Sequence, residues 1–553
     1  MRDFAQIQRT DYDVIIIGGG INGAGVARDA ALRGLKTILV EKNDFASGSS
    51  SWSSRLIHGG LRYLEYFEFP LVRESLKERE VLLRNAPHLV TPLQLTIPIY
   101  GDRSRPYWKI WAGMILYDIF SFDKTLPVHR MLPKAKFKQL FRSLDRENLS
   151  GGSQYYDGQV TLAERLCLEN IISAENAGAT ALNYVEVTEL AIKENRITDV
   201  VCKDKLTGDS FTISGSSDAM VINTAGPWID HVCKQGRQDG QKSPIGDKNK
   251  NGSTKGSHIV VEEFPGAPGS TLYVEAKSDG RPFFIIPWLG KYLIGTTDLP
   301  YKEDFDNIKA DNQEIDYLLQ ETNNIIPTAN LKRDDVIFTY SGVRPLPNSE
   351  GKKPGSITRK HIIFDHRKEG VRNLLTLIGG KLTTYRNVGE EMVDAVLKRT
   401  KRSPKSCQTD SLPLPGCILP SDKRIQQAIT EYSSTLSVKT IDHLFSVYGA
   451  RALEVLALTR ETPELSEPLM SDLLDIKAQI VYAVTNESAH TLVDILRRRT
   501  TLAMNGHYGM NLLPIVTETL TKYCGWTESQ CDRAVADYRF YMEHNCIPDF
   551  QLN

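Results

Sequence analysis

A strand, a glycine turn, a helix and a second strand follow one another near the amino terminus, and this unit constrains the fold most. Its sequence is DYDVIIIGGGINGAGVARDAALRGLKTILVEK, residues 11–42. Its first apolar run is typical of a buried parallel strand. Gly18, Gly20 and Gly23 fit G-x-G-x-x-G, which permits a tight turn, close approach to a pyrophosphate and close helix packing. Because the helix N-terminus directs N–H groups at phosphates, the unit predicts a bound dinucleotide rather than an ordinary glycine-rich turn.

Further segments indicate a larger cofactor than a nicotinamide dinucleotide. Glu41 ends the second strand, where its carboxylate would accept hydrogen bonds from an adenosine ribose. The glycine-marked segments VINTAGPW and LIGGKLTTYR would also end at strand termini, and ligands bind beyond the carboxyl ends of parallel strands. The serine-rich NDFASGSSSWSSRLIHGGLRY adds donors for a phosphate or an isoalloxazine, unless it is a solvated loop. These segments together predict FAD.

Composition limits the class and the compartment. A chain of 553 residues is long enough for about two to four domains. A net charge of −1 argues against a nucleic-acid partner. The amino terminus lacks the apolar core of a secretory signal, and no segment is apolar enough to span a membrane. The eight cysteines show neither a disulfide framework nor metal-ligand spacing, so we expect reduced thiols, no metal and a cytoplasmic protein.

The pattern along the chain predicts an α/β protein with three parts. The FAD-binding, Rossmann-like domain is expected to be discontinuous, at 1–90, 150–235 and 340–400. An antiparallel-sheet substrate domain is expected at 91–149 and 256–339, and an all-α domain at 405–553. The polar stretch at 236–255 reads as an exposed mobile loop, and Arg497–Arg499 as a solvated face or partner surface.

Several side chains flank the cofactor motifs. His58 lies before two glycines, where an imidazole would contact the flavin or accept a substrate proton, unless it is structural. Arg62 would share a helical face with it. Arg344 and Lys381 lie on separate segments beside cofactor motifs, which favours an anionic substrate over solvated surface cations. The β-rich region expected to cover the flavin carries His258, which is either a site residue or a satisfied core histidine, and Thr297.

At these residues the chain resembles the FAD-dependent glycerol-3-phosphate dehydrogenases, including quinone-linked aerobic members. The resemblance rests on IIIGGGINGAGVARDAALRG, SSRLIHGGLRYLE, NTAGPW, KGSHIVV, GTTD, TYSGVRPL and GGKLTTYR, in order from about residue 11 to 400. It implies a fold of the D-amino-acid-oxidase type and oxidation of sn-glycerol 3-phosphate to dihydroxyacetone phosphate. Hydride would pass from C2 to flavin N5, and electrons to a membrane quinone. Trp52 departs from the expected small or polar residue in the serine stretch.

The resemblance and the motifs together give a set of expected site residues. The expected catalytic residues are His58, Arg344 and Lys381, with the role of His58 as base a hypothesis. Substrate contacts are expected from Arg62, Tyr63, His258, Thr297, Arg344 and Lys381. FAD contacts are expected from Gly18, Gly20, Ile21, Asn22, Gly23, Glu41, Ser49, Ser50, Ser53, Ser54, His58, Gly59, Ala225, Gly226, Gly380, Lys381, Leu382 and Thr383.

The resemblance also implies partners. Quinone reduction requires peripheral attachment to the inner face of the plasma membrane, and a homodimer remains among the expected assemblies. Residues 103–122 combine aromatic and basic side chains as an interfacial segment would, although a core helix is an equal alternative. The alternatives in function are a glycerol-3-phosphate oxidase that uses oxygen, an amine or amino-acid oxidase of the same fold, a nucleic-acid-binding flavoprotein and a non-catalytic flavoprotein.

Overall fold

The computed structural model describes residues 2–103, 105–238, 240–348, 358–403 and 405–552. Its strands are β1 (Tyr12–Ile17), β2 (Thr37–Val40), β3 (Leu56–Ile57), β4 (Val90–Tyr100), β5 (Arg130–Pro133), β6 (Leu149–Val160), β7 (Thr180–Leu182), β8 (Val185–Lys193), β9 (Arg196–Asp204), β10 (Ser210–Asn223), β11 (Gly236–Gln238), β12 (Gln241–Lys242), β13 (Thr254–Val261), β14 (Thr271–Glu275), β15 (Pro282–Trp288), β16 (Lys291–Gly295), β17 (Leu299–Pro300), β18 (Val336–Arg344), β19 (Ile362–Asp365) and β20 (Leu374–Ile378). Its α-helices are α1 (Phe4–Arg9), α2 (Ile21–Leu32), α3 (Phe69–Asn85), α4 (Tyr107–Phe120), α5 (Lys134–Leu140), α6 (Ala163–Asn176), α7 (Ile229–Lys234), α8 (Asn312–Ile325), α9 (Tyr385–Thr400), α10 (Lys423–Tyr432), α11 (Val438–Tyr448), α12 (Ala452–Glu461), α13 (Lys477–Asn486), α14 (Leu513–Cys524) and α15 (Glu528–Asn545). The predicted α/β class is confirmed.

The first sheet carries the parallel strands that the amino-terminal motif predicts. Its order is β12-β11-β8-β9-β10-β1-β2-β7, with β20 joined to β10 and β19 joined to β20. Strands β7, β2, β1 and β20 run parallel with the carboxyl half of β10. Val14 and Ile16 of β1 pack in one buried cluster with Val26 of α2, Leu166 of α6 and Val393 of α9. The carboxyl ends of these strands therefore meet at one edge, below the amino end of α2.

The second sheet is largely antiparallel, as predicted. Its order is β17-β13-β16-β15-β14-β4-β6-β3, with β18 joined to β13 and β5 to β6. Strands β6 and β18 belong to it, although the sequence analysis assigned 150–235 and 340–400 to the FAD-binding domain. The carboxyl-terminal helices cover one face, where Leu496 and Leu513 join Val260 and Phe338 in a buried cluster. The exact domain boundaries stay predictions.

Two expectations about surface segments are wrong, the first only in part, since residues 240–242 and 247–249 are exposed as expected. The stretch 236–255 contains β11, β12 and part of β13, and within its described residues Ile245 is buried and accepts a 3.0 Å hydrogen bond from Lys250 Nζ. Arg497–Arg499 are buried among carboxylates in a π-helical turn (Asp494–Arg499). Sequence pattern could not show this, because burial of charges depends on partners distant in the chain. No helix in the described part of the chain combines the length and apolarity needed to cross a bilayer.

Candidate active site

Four loops that follow the parallel strands line one long cleft. They are the turns after β1, β2, β10 and β20, which begin at Gly18, Glu41, Thr224 and Gly379. The cleft, with its open mouth, has a volume of about 1830 Å³. Because the strands are parallel, one edge of the sheet brings together loops that are hundreds of residues apart.

The glycine turn after β1 allows close backbone approach for steric reasons. Gly18 has a φ of +109°, and a Cβ there would lie 2.8 Å from the Ala225 Cα. A Cβ on Gly23 would lie 1.9 Å from the Gly18 carbonyl oxygen, so any side chain would push α2 off the strand. Gly23 therefore packs the helix behind the turn and, unlike Gly18 and Gly20, does not line the cleft.

Glu41 closes β2 and braces the glycine turn. Its carboxylate accepts hydrogen bonds from the backbone N–H of Gly19 at 2.7 Å and of Asn43 at 2.9 Å. Burial raises the pKa of this carboxyl above its ordinary value, although the two N–H donors lower it. Glu41 also lines the cleft beside Val185–Val187, so its oxygens are placed to accept from a ribose at that end.

The turn after β20 connects the cofactor loops to His58. Gly379 and Gly380 have φ values of +81° and +96°, which favour glycine. The hydroxyl of Thr383 in the same turn accepts a 3.2 Å hydrogen bond from the His58 backbone N–H. The turn therefore fixes the backbone at His58, although that residue follows β3 of the other sheet.

His58 and Lys381 both line the cleft, close enough for the charge of Lys381 to act on the imidazole. Burial and the nearby Lys381 ammonium lower the pKa of His58 below its ordinary value, against the attraction of Asp157. Lys381 Nζ donates to Ser75 Oγ at 2.6 Å and lies 4.8 Å from the centroid of the Tyr63 ring. Burial lowers the pKa of Lys381 to about 8. The imidazole is thus neutral near pH 7, and the amine titrates close to that pH.

Two arginines line the cleft near Tyr63. Arg344 Nη1 lies 3.1 Å from Asp298 Oδ1, and Arg359 Nη2 lies 3.4 Å from Asp298 Oδ2. Both guanidinium groups line the cleft with Lys381 and Tyr63. One carboxylate therefore orients two cations, and the surplus of positive charge is available to an anion.

The cleft includes most of the expected cofactor contacts. Those that line it are Gly18, Gly20, Ile21, Asn22, Glu41, Ser49, Ser50, Ser53, Ser54, His58, Ala225, Gly226, Gly380, Lys381, Leu382 and Thr383. Gly59 does not line the cleft. Its N–H donates to Tyr117 Oη at 2.9 Å, and a Cβ at this position would clash with that oxygen.

Three expected substrate contacts do not line the cleft. His258 is buried, stacks on Tyr340 and hydrogen-bonds to Ser54 Oγ through Nε2 at 2.8 Å. Thr297 is buried and donates to Glu314 Oε1 at 2.6 Å. Arg62 lies 5.8 Å from the Tyr66 ring; since the 3-10 helix starts at Leu61, it does not share a helical face with His58. His258 and Thr297 instead contact residues of the cleft wall, Ser54 and Arg344, and the role of all three as substrate contacts stays a prediction.

Sequence reasoning missed other residues of the cleft. Arg359, Phe284 and Trp228 line it, and the Phe284 ring meets the His58 ring edge-to-face at 6.5 Å. Trp228 was within the NTAGPW motif, and strand alternation in PFFIIPW could have indicated Phe284. Arg359 has no motif around it, so no signal in the sequence distinguishes it from a surface cation.

Comparison with known proteins identifies the family. The family model described as FAD dependent oxidoreductase matches residues 13–393, and that of the C-terminal domain of alpha-glycerophosphate oxidase matches residues 407–531. A glycerol-3-phosphate dehydrogenase of Synechocystis sp. is 60% identical over 555 residues, which cover 100% of both chains. The chain belongs to the FAD-dependent glycerol-3-phosphate dehydrogenases.

Other relatives of this dehydrogenase are more distant. A mitochondrial glycerol-3-phosphate dehydrogenase of Mesocricetus auratus is 35% identical over 94% of this chain and 71% of its own length. The structure of a glycerol-3-phosphate dehydrogenase from Bacillus halodurans, complexed with FAD, has a TM-score of 0.77 at 28% identity, covering 98% of this chain and 96% of that one. An L-alpha-glycerophosphate oxidase from Mycoplasma pneumoniae has a TM-score of 0.52 at 16% identity over 73% and 99% of the two chains, which shows a shared fold alone.

The cleft of this dehydrogenase fits FAD, the cofactor of its family. The glycine turn would hold the pyrophosphate, Glu41 the ribose, and the loops around Ser49 and Leu382 the flavin half. The Asn22 side-chain oxygen is buried beside Gly380 without a hydrogen-bond partner in the described chain, so this oxygen can accept a hydrogen bond from the bound cofactor. Within the same residues no group of His, Cys, Asp or Glu is arranged to hold a metal ion.

Proposed function

We propose that this dehydrogenase oxidises sn-glycerol 3-phosphate to dihydroxyacetone phosphate. The observation that carries the proposal is the convergence of Arg344, Arg359 and Lys381 beside His58 in the cofactor cleft. Three cations suit a phosphate dianion better than the single carboxylate of an amino acid, and guanidinium forks bind phosphate oxygens in pairs. The names of the relatives agree with this substrate.

In the proposed reaction the side chains hold the substrate and take its proton. The cations would bind the phosphate, so that C2 lies near His58 and Phe284. Neutral His58 would accept the proton of the C2 hydroxyl, because its lowered pKa leaves a ring nitrogen unprotonated at neutral pH. Bound FAD supplies the acceptor for the hydride of C2, at its N5 atom. The Lys381 charge opposes imidazolium formation, so proton release from His58 would follow readily.

An anaerobic titration tests the substrate. We expect glycerol 3-phosphate to bleach the visible flavin band of the holoenzyme with about one equivalent, and glycerol, which lacks the phosphate, to fail at the same concentration. Bleaching by glycine or proline instead would favour an amino-acid oxidase. A band unchanged by any of these compounds would refute the proposed reaction.

We further propose that the enzyme attaches peripherally to a membrane and passes electrons to a quinone. An exposed apolar patch on α4 and its neighbours supports attachment: Trp108 is 69% exposed, Trp111 50%, Phe67 77% and Phe122 79%. The spacing of Trp108, Trp111 and Ile119 places them on one side of the helix. Contiguous exposed aromatic side chains next to basic ones are typical of surfaces that enter the headgroup region.

Flotation with vesicles tests the attachment. The Trp108→Ser/Trp111→Ser variant should lose binding to anionic vesicles, whereas Phe540→Ser, which removes an exposed aromatic from α15, should bind as the wild type does. Equal binding by both variants would refute this face. The acceptor is tested separately: quinone reduction in vesicles without hydrogen peroxide is expected, while rapid peroxide formation in air would identify an oxidase.

A further inference from the structure

The serine-rich loop at 44–55 shapes one wall of the cofactor cleft but has little regular structure of its own. Its residues Ser47, Gly48, Ser49, Ser50, Ser53 and Ser54 line the cleft. Between Asp44 and Arg55 the backbone forms turns and bends but neither a helix nor a strand. Since a loop without a hydrogen-bonded ladder is held by contacts from elsewhere, its shape depends on the groups that fix its two ends.

The first end is fixed by a buried carboxylate. Asp44 accepts hydrogen bonds from Arg499 at 2.6 and 2.8 Å, one to each oxygen, and from Arg498 Nε at 2.7 Å. Asn183 Nδ2 donates to it at 2.9 Å. All three charged side chains are within a few percent of full burial. Such a bidentate buried pair fixes orientation as well as distance.

The two residues that follow Asp44 contact the glycine turn after β1. The backbone N–H of Ala46 donates to the Gly19 carbonyl at 3.0 Å. The Phe45 ring lies so close to Gly19 that a Cβ there would be 2.8 Å from it. A shift of Asp44 would therefore move the segment that braces the turn expected to hold the pyrophosphate.

The second end of the loop is fixed by the same carboxyl-terminal turn. Arg55 pairs with Glu164, and Arg55 Nη2 donates to the Ser51 carbonyl at 2.9 Å. Arg497 Nη1 donates to Glu164 Oε1 at 2.7 Å, and its guanidinium also lies 4.7 Å from the Trp52 ring. Both networks thus end on successive arginines of one π-helical turn, Asp494–Arg499. The sequence alone assigns no function to this turn.

We propose that this turn is a tether, through which the carboxyl-terminal domain holds the 44–55 loop in its cofactor-binding shape and controls FAD retention. Arg497, Arg498 and Arg499 are positioning residues, because none of them lines the cleft. Arg498 and Arg499 act through Asp44, and Arg497 acts through Glu164 and Arg55. The inference rests on FAD occupying the cleft, as proposed above, and on no assumption about the substrate or acceptor.

Release of FAD from the purified holoenzyme tests the tether, with flavin fluorescence as the readout. We expect Arg499→Met to release FAD about ten- to a hundredfold faster than the wild type, as loss of charge-assisted hydrogen bonds implies. The matched control is Arg451→Met, which removes another buried arginine of this domain, paired with Glu487 at 2.9 Å and without a contact to the loop. In this variant the Glu487 carboxylate keeps Arg165 at 2.7 Å, and Arg499 still donates to the Glu487 backbone carbonyl. It should release FAD at the wild-type rate even where its melting temperature falls equally.

A double variant separates the tether from a loss of folding stability. Asp44→Leu/Arg499→Met removes the carboxylate together with its bidentate partner, and Arg498, which loses its contact with Asp44, keeps Asp494 as a partner at 2.5 Å. No buried charge at that site is then unpaired, so the variant should regain melting temperature. It should still release FAD rapidly, because the loop end is no longer held. If Arg499→Met does not fold, the double variant carries the same test.

The outcomes are decisive in either direction. Release from Arg499→Met no faster than from Arg451→Met, or a double variant that recovers FAD retention with its melting temperature, would overturn the tether. A wild-type protein that binds no FAD would instead refute the proposed function, since the variants could then show no difference. Partial recovery of retention by Arg499→Lys, which restores a charge but not the fork, would support the bidentate geometry.

Discussion

Lys381 is placed in the cleft at a cost to stability, and the size of that cost follows from its environment. Burial lowers its pKa from the ordinary 10.5 to about 8, and the charges of Glu74 and Glu68 offset this only in part. That difference of about 2.5 pKa units corresponds to about 3 kcal/mol, at 1.36 kcal/mol per unit. Because the unfolded chain binds the proton more tightly, the full cost applies below pH 8, falls as the pH rises through the folded pKa, and is gone near 10.5.

The substitution Lys381→Met should therefore stabilise the protein while it impairs the reaction. Methionine preserves the length of the side chain without a charge, so at pH 7 the free energy of unfolding should rise by up to about 3 kcal/mol. The phosphate would lose a charge-assisted contact of about 1.5–3 kcal/mol, which lowers kcat/KM by about ten- to 150-fold. Activity and stability are expected to change in opposite directions.

Thermal unfolding and steady-state kinetics at several pH values measure both effects. The matched control is Lys255→Met: Lys255 is also buried, but it lies 2.7 Å from Glu314 and its loss leaves that carboxylate unpaired, so the melting temperature should fall. The wild-type kcat/KM should decrease above about pH 8 as Lys381 loses its proton, and the kcat/KM of the variant should not show this decrease. A variant less stable than the wild type at pH 7, or with unchanged kcat/KM, would refute the reasoning.

Three other substitutions probe the rest of the site. In His58→Ala the rate of flavin reduction by glycerol 3-phosphate should fall by about 10²–10⁴-fold with normal FAD content; an unchanged stopped-flow rate would remove His58 from the role of base. In Gly18→Ala the new Cβ, 2.8 Å from the Ala225 Cα at a φ of +109°, should abolish FAD binding, and a normal ratio of flavin absorbance to protein would contradict the steric argument. In Arg359→Gln the KM for glycerol 3-phosphate should rise about tenfold or more, with the KM for an artificial electron acceptor unchanged; an unaltered substrate KM would place the phosphate elsewhere.

The sequence alone determined the features that depend on neighbours along the chain. Strand β1, the turn at Gly18 and helix α2 are local, because glycine conformations and helix periodicity are properties of a short segment. Two further glycine turns and their strands were recognisable for the same reason. Glu41 and Lys381 could be placed because each lies a fixed distance from such a turn.

The tertiary structure decided which side chains face the cleft and which charges are buried. Strand pairing buried His258 against Ser54, and the turn after β16 buried Thr297 against Glu314. Folding brought Arg359, which has no motif of its own, beside Arg344 through Asp298. Folding also paired Arg499 with Asp44, 455 residues earlier. The physical reason is the same in each case: desolvation and ion pairing are set by atoms that approach only when distant segments pack, so local sequence carries no record of them.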